Sequence, residues 1–268
     1  MSAVVETGHQ ASPPVLLRED RDGISTLTLN RPAQMNLLTL EMLGALQAAF
    51  DAIAGDARVH VVVLAGAGKG FCAGHDLREI QGLGAPEKVA ALFETCNRMM
   101  LSIQRLPQPV IARVQGAAAA AGCQLVAQCD LAVAADTAKF TTPGVNWGFF
   151  CSTPGVPIGR NLLRKHAMEM LLTGDMLDAA KALDWGLVNR VVPPAALDAA
   201  VLELAGRIAA KPPATISAGK TAFYRQMDLG VAEAYELAGG VIAASFSHAE
   251  GREGMDAFIG KRPPDWKK

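Results

Sequence analysis

The sequence predicts an α/β fold with a helical C-terminal subdomain. Across the first two-thirds of the 268 residues, short apolar runs alternate with segments whose apolar residues recur at helical spacing. Beyond Pro193-Pro194 every segment reads as helix and no further strand is evident. Half of the residues are hydrophobic, enough for one large domain or a domain with an appendage. The expected division is a polar, disordered lead-in over 1–14, a core over 15–193 and a helical subdomain over 194–268.

Val15–Asp20 and Ile24–Leu29 read as a β-hairpin about the polar turn Arg21-Asp22-Gly23. Thr39 suits the N-cap of a helix that puts Leu40, Leu43, Leu46, Phe50 and Ile53 on one face. Val59–Leu64 is a continuous β-branched run, expected as a strand buried on both faces. Pro86–Arg105 reads as a helix, stopped by Leu106-Pro-Gln-Pro. Pro109–Gln115 and Leu131–Ala135 follow as strands, and residues 139–155 as one long irregular segment. Helices near Leu162–Thr173 and Asp178–Trp185 and a strand at Leu187–Val192 complete the core. Four helices are expected beyond it, at Leu197–Ala210, Ala214–Met227, Val231–Ser247 and Glu250–Ile259.

Several functions are excluded or disfavoured. A net charge of −1 leaves no footprint for nucleic acid. No apolar run approaches the ~20 residues of a membrane span. Residues 1–14 carry no Lys or Arg and resemble neither a secretory signal nor a transit peptide, so a cytoplasmic location is expected. The five cysteines form no C-x-x-C pair and the five histidines are scattered, which argues against a zinc site and for reduced thiols. Glycines at 66, 68 and 70 follow a strand. A dinucleotide fingerprint would need glycine where Phe71 stands, and a phosphate loop would need Ser or Thr where Gly70 stands.

The informative stretch is Gly116–Asp130. A short strand leads into a turn of residues no larger than alanine, and then into an apolar helix. That arrangement presents free backbone N–H groups at a helix N-terminus and admits a ligand close to the backbone. The same alanines would also suit simple packing of a helix on a sheet. The glycines after Val59–Leu64 lead to a second such turn, Ala73-Gly-His-Asp76.

These turns, with the phrases Phe71-Cys-Ala-Gly-His-Asp-Leu-Arg-Glu-Ile and Ala121-Gly-Cys-Gln-Leu, resemble the crotonase (enoyl-CoA hydratase/isomerase) superfamily. Asn30-Arg-Pro, Leu172-Thr-Gly-Asp, Trp185-Gly-Leu-Val-x-x-Val-Val-Pro and Glu253-Gly-Met-x-Ala-Phe-x-x-Lys-Arg extend the resemblance in order from about residue 15 to 262. The string from Thr142 to Gly155 is more particularly similar to one branch, the enoyl-CoA hydratase domain-containing protein 3 group. The resemblance implies a spiral of ββα units for 15–193, with 194–268 serving oligomerisation as a homotrimer or a dimer of trimers. It implies an acyl-CoA substrate, with coenzyme A as part of that substrate and no separate cofactor. It also implies a pair of backbone N–H groups that hold the thioester carbonyl as it becomes an enolate, here those of His75 and Ala121.

The rest of the family chemistry fits less well. The two hydratase glutamates fall at Gln124 and Gly144, and the isomerase carboxylate at Gly144 or near Ser152. A missing general base or acid typically costs ~10²–10⁴ each, so weak or no hydratase turnover is expected. Ser152 and Gln124 can orient a water. The His75 imidazole could act as a base or merely line the pocket. Asp76 suits an N-cap, and Cys123 and Cys151 could be nucleophiles or core residues. Arg78, Phe258 and Lys261 match positions that in the family reach coenzyme A, the last two that of a neighbouring subunit; surface charge is the other reading of Arg78 and Lys261. A non-catalytic acyl-CoA-binding protein of the same fold is the alternative function.

Overall fold

A computed structural model describes residues 13–266. The expected lead-in lies outside the described residues apart from Pro13 and Pro14, whose carbonyls accept hydrogen bonds from the side chains of Arg31 (2.8 Å) and Asn30 (2.9 Å).

Strands β1 (Leu16–Arg21) and β2 (Ile24–Leu29) form the expected antiparallel hairpin. Asp22 and Gly23 occupy its two-residue turn, both with positive φ, as the twist of a tight hairpin requires. Helix α1 (Leu40–Ala54) is capped by Thr39, whose side chain accepts from the Met42 amide. Strand β3 (Val61–Gly66) runs parallel to β2. Next come α2 (Leu77–Leu83), α3 (Pro86–Arg105), β4 (Val110–Val114), β5 (Ala118–Ala119), α4 (Ala121–Gln128), β6 (Leu131–Ala135) and β7 (Lys139–Thr141).

The stretch 139–155, expected to be irregular throughout, is more ordered than that. After β7 come a 3₁₀ turn, Pro143–Trp147, and helix α5 (Ser152–Asn161), with α6 (Arg164–Thr173) beginning only after a break. Pro154 and Pro157 concealed this helix in the sequence. Pro154 is tolerated in the first turn, and Pro157 sits inside the helix. Strand β8 (Leu177–Asp178), α7 (Ala179–Asp184) and β9 (Arg190–Val192) precede the last four helices. These are α8 (Leu197–Ala209), α9 (Pro213–Gln226), α10 (Val231–Ser247) and α11 (Ala249–Ile259).

Six strands make the main sheet, in the order β1-β2-β3-β4-β6-β9, parallel from β2 onward. Strands β5, β7 and β8 make a second, small sheet. Both faces of the main sheet are covered, which is why β3 is buried along its whole length. On one face Val62 and Leu64 join Leu46, Phe50, Met99 and Ile103 of α1 and α3. On the other, Val61, Val63, Ile111 and Val133 join Leu197, Val201 and Ala205 of α8. The cover of that second face is therefore drawn from beyond residue 193.

A buried ion pair ties α9 to this core. Lys220 Nζ lies 2.7 Å from Asp130 Oδ2 and also donates to the carbonyls of Ile103 (2.9 Å) and Gln108 (3.0 Å), which occupies all three ammonium protons. Asp130 in turn accepts from Tyr224 Oη and the Val110 amide, both at 2.7 Å. Helix α9 is also joined to α11, where the Thr215 amide and hydroxyl both donate to Glu250 at 3.0 Å, but α9 and α10 bury no residue and leave Phe223, Met227, Val231, Tyr235, Ile242 and Phe246 exposed.

Candidate functional site

The two small-residue turns named from the sequence lie against each other. Cys72 bridges Ala118, and the Ala119 amide donates to the Cys72 carbonyl at 2.9 Å. On the outer side Leu38 bridges His75, the Leu38 amide donating to the Gly74 carbonyl at 2.8 Å. The contact is so close that glycine is required at two points. A Cβ on Gly122 would stand 2.0 Å from the Cys72 carbonyl oxygen. One on Gly74, whose φ is +94°, would stand 3.0 Å from the Ala119 oxygen and 3.2 Å from the Ala121 nitrogen.

The His75 amide is two bonds from the Gly74 Cα, so the His75 and Ala121 amides come from backbone segments in direct contact. Neither amide donates a hydrogen bond to another group among the described residues. Ala121 is the first residue of α4, so its N–H is one of those a helix leaves open. Its neighbour Ala120, not Ala121, takes the unusual backbone geometry, φ 48° and ψ −118°. That conformation costs a non-glycine residue on the order of 1–3 kcal/mol. It is held by the Ala120 amide, which donates to Thr141 of β7 at 2.9 Å. Two free donors on contacting segments, one of them at a helix N-terminus, are suited to an anionic or carbonyl oxygen.

Two side-chain amides support the glycine loop, and the sequence reading missed both. Asn36 Nδ2 donates to the carbonyls of Ala67, Gly70 and Phe71 at 2.9–3.0 Å. Gln115 Nε2 donates to those of Gly66 (2.7 Å) and Gly70 (2.8 Å). Asn36 is fully buried with φ 54°, a conformation asparagine tolerates better than most residues. An isolated asparagine in a loop gives no periodic signal by which to find it.

The His75 ring sits edge-on to Phe93 of α3, with centroids 5.2 Å apart. Its Nδ1 lies 3.2 Å from the Leu38 carbonyl, which can only accept, so Nδ1 carries the proton. Nε2 is then a bare acceptor, and it is buried without a partner. Burial lowers the His75 pKa, only partly offset by the Leu38 contact, and keeps the ring neutral. Asp76 serves as N-cap of α2, accepting from the amides of Arg78 (2.8 Å) and Glu79 (3.4 Å).

Gln124 lies on α4 one turn after Ala121, 3% exposed, and its Oε1 has no partner. Gly144 lies in the 3₁₀ turn, where a Cβ would stand 2.7 Å from the Phe149 oxygen and 2.9 Å from the Cys151 sulfur. Ser152 opens α5; it is exposed and its hydroxyl donates to the Phe150 carbonyl at 3.3 Å. Burial pushes the Cys123 thiol up to about 12 and raises that of Cys151, so neither is a thiolate near neutral pH. Arg78 is exposed on α2. Phe258 and Lys261 stand at the end of α11, which packs on α9 and α10 rather than beside the two turns. The fold thus brings His75, Ala121 and Gln124 to one place, and leaves Phe258 and Lys261 on another surface.

Comparison with known proteins identifies the class. The enoyl-CoA hydratase/isomerase family profile matches residues 19–268, and the chain belongs to that family, with its fold. An enoyl-CoA hydratase structure from Mycobacterium smegmatis is 50% identical, with a TM-score of 0.94, over 96% of this chain and all of that one. Within the family the chain falls in the expected branch. It is 41% identical to the mitochondrial enoyl-CoA hydratase domain-containing protein 3 of Xenopus laevis, over 98% of this chain and 90% of that protein. The human member's structure is 41% identical, with a TM-score of 0.92, over 94% of this chain and all of that one. The expected cytoplasmic location is corrected by these relatives. The Xenopus, mouse and human proteins are all named mitochondrial, and a reading from the charge of residues 1–14 cannot stand against them.

Proposed function

We propose that the chain binds an acyl-CoA thioester with its carbonyl oxygen on the His75 and Ala121 amides, and that these donors stabilise an enolate. The observation that carries this reading is the pair of unpartnered N–H groups on contacting turns, one at the start of α4. Charge develops on the thioester oxygen as the α-proton leaves, and preorganised donors act on that charge; losing one typically costs ~10²–10³ in rate. Gln124, Gly144 and Ser152 occupy the positions of the family's carboxylates and supply no acid or base. Hydratase turnover is accordingly weak or absent. Coenzyme A enters as part of the substrate, held by Arg78 and by Phe258 and Lys261 of a neighbouring copy. The apolar faces of α9 and α10 close on copies of the same chain in a trimer or a pair of trimers, which assigns oligomerisation to α9–α11 within 194–268, α8 being part of the core.

A second reading, an acyl-CoA-binding protein without turnover, is favoured by one observation: the tight packing about Gly144 leaves no space for a carboxylate. Crotonyl-CoA distinguishes the two. Loss of enoyl absorbance is followed beside thermal stabilisation by CoA thioesters. Stabilisation with turnover supports an enzyme, stabilisation alone supports binding, and the absence of both removes the assignment to CoA.

A further inference from the structure

We infer that the imidazole of His75 is the proton-transfer group of this site, removing a proton from the α-carbon of the bound thioester through Nε2. The inference rests on the acyl-CoA reading above and adds to it the base which that reading lacks.

Elimination among the groups at the two turns leads to this residue. Gln124 is an amide and takes no proton. Gly144 has no side chain and no space for one. Ser152 is exposed and engaged with Phe150. The Cys123 and Cys151 thiols are held protonated by burial. Asp76 is the cap of α2 and Glu79 accepts from the Leu40 amide at 3.0 Å. Gln124 Oε1 is buried and unpartnered as well, but an amide oxygen is not a base; of these groups His75 alone offers a basic lone pair on a buried atom with no partner. The Leu38 carbonyl fixes the tautomer that leaves Nε2 bare, and Phe93 fixes the ring plane. The elements packed on the ring set no charge against it: the segment before α1 contributes the Leu38 carbonyl and α3 the Phe93 ring. The ring hangs from the same Cα as the amide proposed to hold the thioester oxygen, so base and oxygen donor belong to one residue.

The step balances without a further reactant. The Cα–H bond breaks and its electron pair forms the C1–C2 double bond. The carbonyl π pair moves onto the oxygen held by the two amides. The proton forms an N–H bond on Nε2, giving an imidazolium whose Nδ1 proton stays on Leu38. Return of the proton, or of one from solvent, restores the neutral ring.

The test is hydrogen–deuterium exchange at C2 of butyryl-CoA in D₂O, followed by NMR against a blank without protein, with thermal shift by the same thioester measured in parallel. The wild-type chain is expected to exchange C2 above the blank. His75→Phe should exchange about 10²-fold more slowly or worse while still being stabilised by butyryl-CoA, because the backbone amide is retained. His75→Gln, which keeps polarity but is no base, should behave like His75→Phe. Wild-type exchange should also fall as pH drops through the lowered His75 pKa, a response that a purely positioning side chain would not produce. Binding without wild-type exchange overturns the inference and leaves the CoA reading intact, and equal exchange by wild type and variants does the same. Absence of any stabilisation overturns both.

Discussion

At the scale of single residues, the site depends on close backbone approach and on one buried ring. Gly122 packs its Cα against the Cys72 carbonyl, and a methyl group there would lie 2.0 Å from that oxygen. Neither segment can retreat, because Cys72 and Ala118–Ala119 are paired strand to strand. Gly122→Ala should therefore destabilise the chain by about 3 kcal/mol or more, read from urea unfolding, and abolish stabilisation by CoA thioesters. A variant within experimental error of wild type would contradict the described packing. His75 makes a pH prediction. Its pKa is lowered by burial, so the unfolded chain takes up a proton near pH 6.5 while the folded chain takes it up only at lower pH. The folded state binds fewer protons in that window, and stability falls as pH drops from about 6.5 toward the folded value. Unfolding free energies at pH 7.5 and 5.5 should show a steeper loss in wild type than in His75→Phe; equal losses would mean that the ring is not buried as described.

At the scale of elements, α4 and α9 each have a feature that can be tested alone. The start of α4 is set by Ala120, whose strained backbone is held by β7. The tie of α9 is the Lys220–Asp130–Tyr224 cluster. Replacing Lys220 by Ala leaves Asp130 buried beside only Tyr224 and the Val110 amide, and strands the carbonyls of Ile103 and Gln108. Removing one partner of a buried pair costs about 3–5 kcal/mol, so Lys220→Ala should lower stability by that order in urea or thermal unfolding. Lys220→Met, which fills the space, still leaves the carboxylate uncompensated and should not restore wild-type stability. Full stability in either variant would show that α9 is held by its apolar contacts instead. The local readings of these elements from sequence were good where the signal was local. Thr39 announced the start of α1, and Asp22-Gly23 announced the hairpin, because capping and positive φ are chemical demands made by a few adjacent residues. Helix α5 and strands β5, β7 and β8 were missed. Two alanines carry no strand signal of their own, and Pro154 and Pro157 outweighed a helix that tertiary packing against α4 sustains.

At the scale of the whole molecule, the exposed residues of α9 and α10 raise the question of partners. Met227, Val231, Tyr235, Ile242 and Phe246 are each more than half exposed on one chain. Single exposed apolar residues are ordinary, but a run of them over two helices is a surface to be covered. The expected outcome of sedimentation equilibrium is a species of three or six chains. Tyr235→Glu with Ile242→Glu should shift it toward one chain while leaving the unfolding cooperative. A wild-type protein that sediments as one chain would sink the oligomer reading and with it the role given to Phe258 and Lys261.

The sequence by itself determined the alternation of strands and helices, the helical last quarter, the family, and the two turns that carry His75 and Ala121. All are written in adjacent residues: apolar period, caps, glycines and short phrases. Only the tertiary structure decided that the two turns touch through Gly74 and Gly122, that Asn36 and Gln115 hold the glycine loop, that the His75 ring is buried with Nε2 free, and that Gly144 has no room for a carboxylate. Each of these depends on which distant backbone lies within 3 Å of a given atom. Strand pairing across dozens of residues sets such a distance, and no local pattern records it.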